Sequence, residues 1–192
     1  MLNFSKNNLN TPNPKCFPKK MATMKNSIVF KLKPIGNEIA KVGEKGKSFL
    51  KSHGFSDDSV QMQIMVIREL IKSGKAFDNQ KPSGNEMSVH IFIKKNTIIA
   101  EVRKPVNETT HDNQLQKLDE TIQWIRGYRD PYAPYMMSAQ EASENYIDNK
   151  SIRFGLAKIA YETGAVLDYY VSEDNILNLS AVRHVTGDGK RC

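Results

Sequence analysis

The most strongly patterned stretch of the chain is Gln61 to Phe77, QMQIMVIRELIKSGKAF. Val60, Ile64, Ile67 and Ile71 recur at spacings of four, three and four, the period of a helix with one apolar stripe. Ser56-Asp57-Asp58 precedes it, a capping oxygen followed by acids that favour the positive end of a helix. Glu69 and Ser73 lie one turn apart, almost opposite the stripe, so they are neighbours on a second face. That second face reads in two ways. A carboxylate beside a small polar residue on a buried helix is the start of a site. With Arg68 and Lys72 close by, it is equally a solvated, ion-paired helix face.

The same reading along the chain predicts the other elements. SIVFKL (27–32) alternates as a first strand. A weaker helical stripe, Ile35, Ile39, Val42 and Phe49, runs to His53-Gly54, where glycine ends it. After the patterned helix and a polar loop, NQKPSGN, comes a hairpin. MSVHIFI carries Val89, Ile91 and Ile93 on one face, TIIAEV carries Ile98, Ala100 and Val102, and Lys104-Pro105 ends the second strand. His111 to Arg126 is a second helix, with Leu115, Leu118, Ile122 and Ile125 in phase and Gly127 after it. Residues 128–150, with two prolines and four tyrosines, read as one long irregular segment: a lid, a partner surface or a disordered loop. A short helix, IRFGLAKIAYET, ends at Gly164, and VLDYYV and ILNLSAV form a closing hairpin. The order implies an α+β two-layer sandwich, with a mixed, mainly antiparallel sheet of about five strands covered by helices.

Charge changes this picture little. The net charge of +7 suggests nucleic acid until it is located. Lys6, Lys15, Lys19, Lys20 and Lys25 precede any acid, and residues 187–192 add one more net positive charge, so the body carries about +1. No basic folded face is implied, and nucleic-acid binding is not expected. Residues 1–24, rich in Asn, Lys and Pro, read as a disordered basic tail before a single domain at 25–186, with 187–192 as a C-terminal tail. Cys16 and Cys192 both fall in the tails, which fits a reducing compartment, and the four histidines show no metal-ligand spacing. No apolar run approaches the length of about 18 residues needed to cross a membrane, nor is there a secretory h-region. The expectation is a cytoplasmic protein with no membrane partner.

The order of elements and four stretches together resemble the GHKL ATPase fold of histidine kinases, gyrase-type ATPases and anti-sigma-factor kinases, over about residues 27–185. RELIKSGKAF resembles the N-box helix of that family. SVHIFIKKNTIIAEV resembles the hairpin leading to its adenine-contact Asp-x-Gly. Residues 128–150 stand where the family has its ATP lid. RFGLAKIAYETGAVLDYYVSEDNILNLSAV resembles its GLGL helix and closing hairpin. Small standalone bacterial regulators of anti-sigma-factor-kinase type are similar. In them the runs around LQKLDETIQWIRGYRDPY and SEDNILNLSAV recur.

The resemblance implies ATP and Mg²⁺ as cofactors, Glu69 as general base toward an acceptor hydroxyl, and a nucleotide site at Ser73, Lys104, Arg153, Gly155 and Leu156. The chain departs from that pattern at three points. The metal-binding Asn of the N-box is Ser73, whose hydroxyl still ligates Mg²⁺ in other folds. The adenine-reading Asp falls at Lys104, a cation with no acceptor. The first glycine of GLGL falls at Arg153, which binds phosphate through its fork or fills the cavity. Plainer readings stand beside these. Ser73-Gly74 marks a helix end, Gly155 permits close packing, and Tyr128, Tyr132, Tyr135 and Tyr146 form an interface or anchor their own segment. Two functions follow. One is a signalling regulator of partner-switching type that binds a small antagonist-type protein with a phosphorylatable Ser or Thr, its nucleotide binding weakened or lost. The other is an active ATP-dependent Ser/Thr protein kinase of the anti-sigma-factor class. The resemblance leaves a homodimer open.

Overall fold

The computed structural model of the chain describes residues 26–33, 36–75, 86–106, 111–144 and 148–186. The leader, the polar loop at 79–85, Tyr146 and the C-terminal tail lie outside them.

Five strands and five helices follow in the order β1 (Ser27–Leu32), α1 (Gly36–Ser52), α2 (Asp57–Lys75), β2 (Met87–Lys94), β3 (Thr97–Pro105), α3 (His111–Arg126), α4 (Tyr132–Glu144), α5 (Asp148–Thr163), β4 (Val166–Val171) and β5 (Ile176–His184). The strands form one open sheet in the order β1-β2-β3-β5-β4. Each of its pairings is antiparallel, where the sequence suggested a mixed, mainly antiparallel sheet of about five strands. The α+β sandwich itself is as expected.

Strand alternation sets the layers. Phe30, Leu32, Met87, Val89, Ile91, Ile98, Ala100, Val102, Leu167, Leu177, Leu179 and Ala181 are all buried and share the face toward the helices. The reverse face carries Ser88, His90, Glu101, Arg103, Asn178 and Ser180, with Val29, Val166 and Tyr170 exposed among them. Positive φ angles at Lys95 (56°) and Asn175 (55°) let the two hairpins reverse tightly.

Helix α2 lies at the centre of the helical layer. Its start is fixed by Ser56, whose hydroxyl accepts from Ser59 N–H at 3.3 Å. The predicted stripe is buried: Val60, Ile64, Ile67 and Ile71 are at most 5% exposed. So is much of the rest of the helix, including Gln63, Val66, Leu70, Ser73 and Gly74. The reason is that α2 packs on the sheet, on α1 and on α5 at once. Gly46 lets Ile64 and Ile91 approach α1, and Gly74 lets Val102 approach the last turn of α2. Arg183, only 5% exposed, projects from β5 to the first turn of α2, where it donates to Ser59 O at 2.9 Å and Ser59 Oγ at 3.2 Å.

Residues 128–150, expected to be one long irregular segment, contain α4 instead. Asp130 accepts from Tyr132 N–H at 3.0 Å, and Pro131 stands just before the helix, where a missing N–H costs nothing. The helix runs antiparallel to α5, with Tyr135 stacked on Phe154 (5.7 Å) and on Tyr161 (4.8 Å). Helix α5 begins earlier than expected, at Asp148, and Gly164 ends it at φ +62°.

Candidate functional site

The second face of α2 meets α5. The carboxylate of Glu69 lies against the backbone at Gly155: a β-carbon there would stand 2.9 Å from Glu69 Oε2. Glycine is what allows this approach, so the glutamate and glycine selected from sequence are brought together by the fold. Glu69 also accepts from Lys72 at 2.9 Å across one helical turn. Its side chain is 14% exposed and that of Lys72 is 61% exposed, so the carboxylate is largely enclosed while its partner stands in water.

Ser73, one turn further on, is 1% exposed. Lys104 is also 1% exposed and sits on the helix-facing side of β3, in register with Leu177. It is one step along that face from Val102, the residue against Gly74. A cation there lies near the negative end of α2, which favours its charge. Leu156 is fully buried in the core.

Arg153 leaves this group and faces the other way. Its guanidinium carbon stands 3.7 Å from the centre of the Trp124 ring, and Nη1 donates to Glu141 at 3.3 and 3.4 Å. One side chain of α5 thereby joins α3 and α4. The tyrosines behave as anchors: Tyr135 stacks as above, Tyr132 meets Tyr161 at 5.4 Å, and Tyr128 meets Trp124 edge-on at 5.4 Å. Trp124 and Glu141 carry no local motif that singles them out. Helical phase places them on their helices, but the contact to Arg153 needs the third dimension.

A second polar cluster lies on the reverse face of the sheet. Glu101, 1% exposed, pairs with Arg103. His90 stands across from Glu101, bonds Ser88 Oγ through Nε2 at 3.0 Å, and leaves a buried Nδ1 without a partner. Burial, and secondarily the Arg103 charge, lowers the His90 pKa to about 4. Among the described residues no group of three or more His, Cys, Asp or Glu side chains could hold a metal ion. None of their helices is long and apolar enough to cross a membrane.

No family model matches the chain, and no curated protein matches it significantly. Among solved structures it is similar to a chain in the crystal structure of the SiaB–SiaC complex from Pseudomonas aeruginosa. The TM-score is 0.60 at 14% identity, over 81% of this chain and 88% of that one. The likeness is one of fold.

Proposed function

We propose that the chain is a signalling regulator that works by binding a small regulatory protein, on a histidine-kinase-like ATPase scaffold with nucleotide binding weakened or lost. The observation that carries this reading is the enclosure of the nucleotide-motif positions. Ser73 and Lys104 are each 1% exposed, Leu156 is core, and Arg153 is held by Trp124 and Glu141. A Mg²⁺ ligand must reach an ion that also touches phosphate and water. An enclosed serine hydroxyl, an enclosed ammonium and a guanidinium turned toward its own chain fit that demand poorly. The protein-partner half is supported by the structural neighbour, which was solved in a complex of two proteins. The partner proposed here is an antagonist-type domain with a phosphorylatable Ser or Thr, met in the cytoplasm.

The kinase reading keeps one specific observation, the meeting of Glu69 with Gly155. One experiment separates the two. The full chain is titrated with MgATP by calorimetry, with a thermal melt in parallel. A ligand of the native state raises the melting temperature by mass action. The regulator reading expects neither heat nor a shift at roughly millimolar MgATP, and capture of the partner without added nucleotide. Saturable heat with a matching shift would replace it by the kinase reading.

A further inference from the structure

The two edges of the sheet are finished differently. At the β4 edge, Arg126 of α3 donates to Leu167 O and pairs with Asp168. At the β1 edge the one comparable contact lies beyond the strand, where Lys33 N–H donates to Glu38. The register fixes which backbone groups of β1 are left over. Ile93 N–H donates to Asn26 O at 2.8 Å, so these two residues are a hydrogen-bonded pair of the antiparallel ladder. Such pairs alternate along a strand. Ile28, Phe30 and Leu32 therefore bond β2, while Val29 and Lys31 turn their N–H and C=O groups outward. Among the described residues none bonds to these two donors and two acceptors. The side chains of Val29 and Lys31 share the reverse face of the sheet, and both are exposed, Val29 at 37%.

Charge selects the occupant. Residues 26–56 hold six lysines, Lys31, Lys33, Lys41, Lys45, Lys47 and Lys51, against Glu38 and Glu44, whereas residues 57–186 hold 15 cations against 18 acids. The positive charge of the body is thus concentrated on β1 and α1, which pack together. Lys51 is paired with Asp57, but Lys31, Lys33, Lys41 and Lys45 are exposed and form no ion pair with a described residue. Lysine on an edge strand ordinarily guards it against other strands. It guards this edge against a second copy of the chain, whose β1 would bring the same charge alongside. An acidic strand meets the opposite condition, since its backbone continues the ladder and its carboxylates meet the lysines. A lipid surface or a nucleic acid has the charge but no ladder of alternating donors and acceptors.

We propose that the β1 edge takes up an extended acidic segment of the partner protein as a further strand, with an apolar residue beside Val29 and an acid two positions away beside Lys31. The inference rests on the protein-partner reading above and adds where, and by what element, that partner is held.

The test uses the full chain and a displayed library of short linear peptides. Selection should enrich peptides with acids at alternate positions next to an apolar residue. A bound peptide should slow hydrogen exchange at the Val29 and Lys31 amides by about tenfold or more and leave the β4 amides unchanged. Binding should weaken about tenfold in Lys31→Glu, which turns an attraction into a repulsion. It should weaken as much in Val29→Pro, which removes one outward N–H without touching the β1–β2 ladder or the charge. Lys117→Glu makes the same charge change at an exposed site on α3 and should alter binding less than about twofold. Lys31 is exposed, so its variant keeps the melting behaviour of the parent chain. A library that enriches no acidic peptide overturns the proposal. So does unchanged exchange at Val29 and Lys31 under bound peptide, or undiminished binding to Lys31→Glu. Phosphatidylserine vesicles or duplex DNA that bind as tightly as the peptide, and are lost in Lys31→Glu, also overturn it, since the edge then takes any polyanion. Concentration-dependent dimerisation that Val29→Pro abolishes overturns it in favour of a second copy. A physiological partner that binds both variants as well as the parent defeats the edge but leaves the partner reading standing. A chain that captures no protein at all removes both.

Discussion

Arg153 stands where phosphate would be expected from sequence, and its removal has a calculable effect if it is instead a clamp between helices. Arg153→Ala loses the stack on Trp124 at 3.7 Å and the pair with Glu141 at 3.3 Å. A partly desolvated cation–π contact is worth about 1–2 kcal/mol. The ion pair adds only about 0.5 kcal/mol, because its two side chains are 32% and 35% exposed and water screens them. Against this, the buried Nε has no hydrogen-bond partner, so truncation also relieves a desolvation cost of about 1 kcal/mol. Lost packing of the arginine stem restores a similar amount. The net expectation is a loss of about 1.5–2.5 kcal/mol, which for a domain of this size lowers Tm by about 4–8 °C. Arg153→Lys should recover less than half of this, since an ammonium cannot lie flat on the indole. The assay is urea denaturation of both variants, with a double-mutant cycle to Trp124→Leu that should give a coupling of about 1 kcal/mol. A change in stability below about 0.3 kcal/mol in Arg153→Ala, or no coupling to Trp124, refutes the clamp and returns Arg153 to the list of ligand-binding candidates.

Two further expectations concern buried polar groups. The His90 pKa is lowered to about 4 in the fold, so the unfolded chain takes up its proton near pH 6.5 while the folded chain does not. Stability is therefore present above pH 6.5 and falls as pH drops toward 4, by roughly 3 kcal/mol in all. Urea melts across this range should show the slope in the parent chain and a flatter profile in His90→Asn; equal slopes would assign the effect to another group. Arg183→Ala should cost on the order of 3 kcal/mol, because it empties a buried site and removes the hydrogen bonds to Ser59 O and Ser59 Oγ. Ser59→Ala should cost less than about 1 kcal/mol, as the carbonyl bond survives, and thermal melts that rank the two variants the other way round would contradict this account of the contact.

Periodicity carried most of the fold. The stripe of α2 and the alternation of β1, β2 and β3 are strong enough that their burial follows from spacing alone. Helix α4 was hidden because its buried positions are Pro134 and Ser138, small residues that give no apolar stripe. Its start was nevertheless written in Asp130-Pro131, a capping acid followed by a residue suited to the first turn. The pairing of Glu69 with Gly155 needed the antiparallel approach of two helices far apart in sequence, so only the family resemblance pointed to it. Lys104 and Arg183 were more legible than they first appear. Each falls on the inward phase of its strand, after Val102 and Ala181, so alternation already places a cation inside. What the partner of Arg183 would be was set by the docking of α2 and could not be read locally.

The strand order also divides the chain at one place. Everything up to β3 contributes β1-β2-β3 with α1 and α2, and everything after it contributes β5-β4 with α3, α4 and α5. Each half builds its own piece of sheet from neighbours in sequence, and the halves join mainly along β3–β5 and α2–α5, with Arg183 of β5 also reaching Ser59 of α2. Closing that join brings together residues about 80 apart in sequence, such as Ala100 and Ala181, so loop-closure entropy makes it the late step of folding. Glu69 comes from one half and Gly155 from the other. Two fragments divided after Val106 would each lack the candidate site, and regaining the Glu69–Gly155 contact would report that they had reassembled.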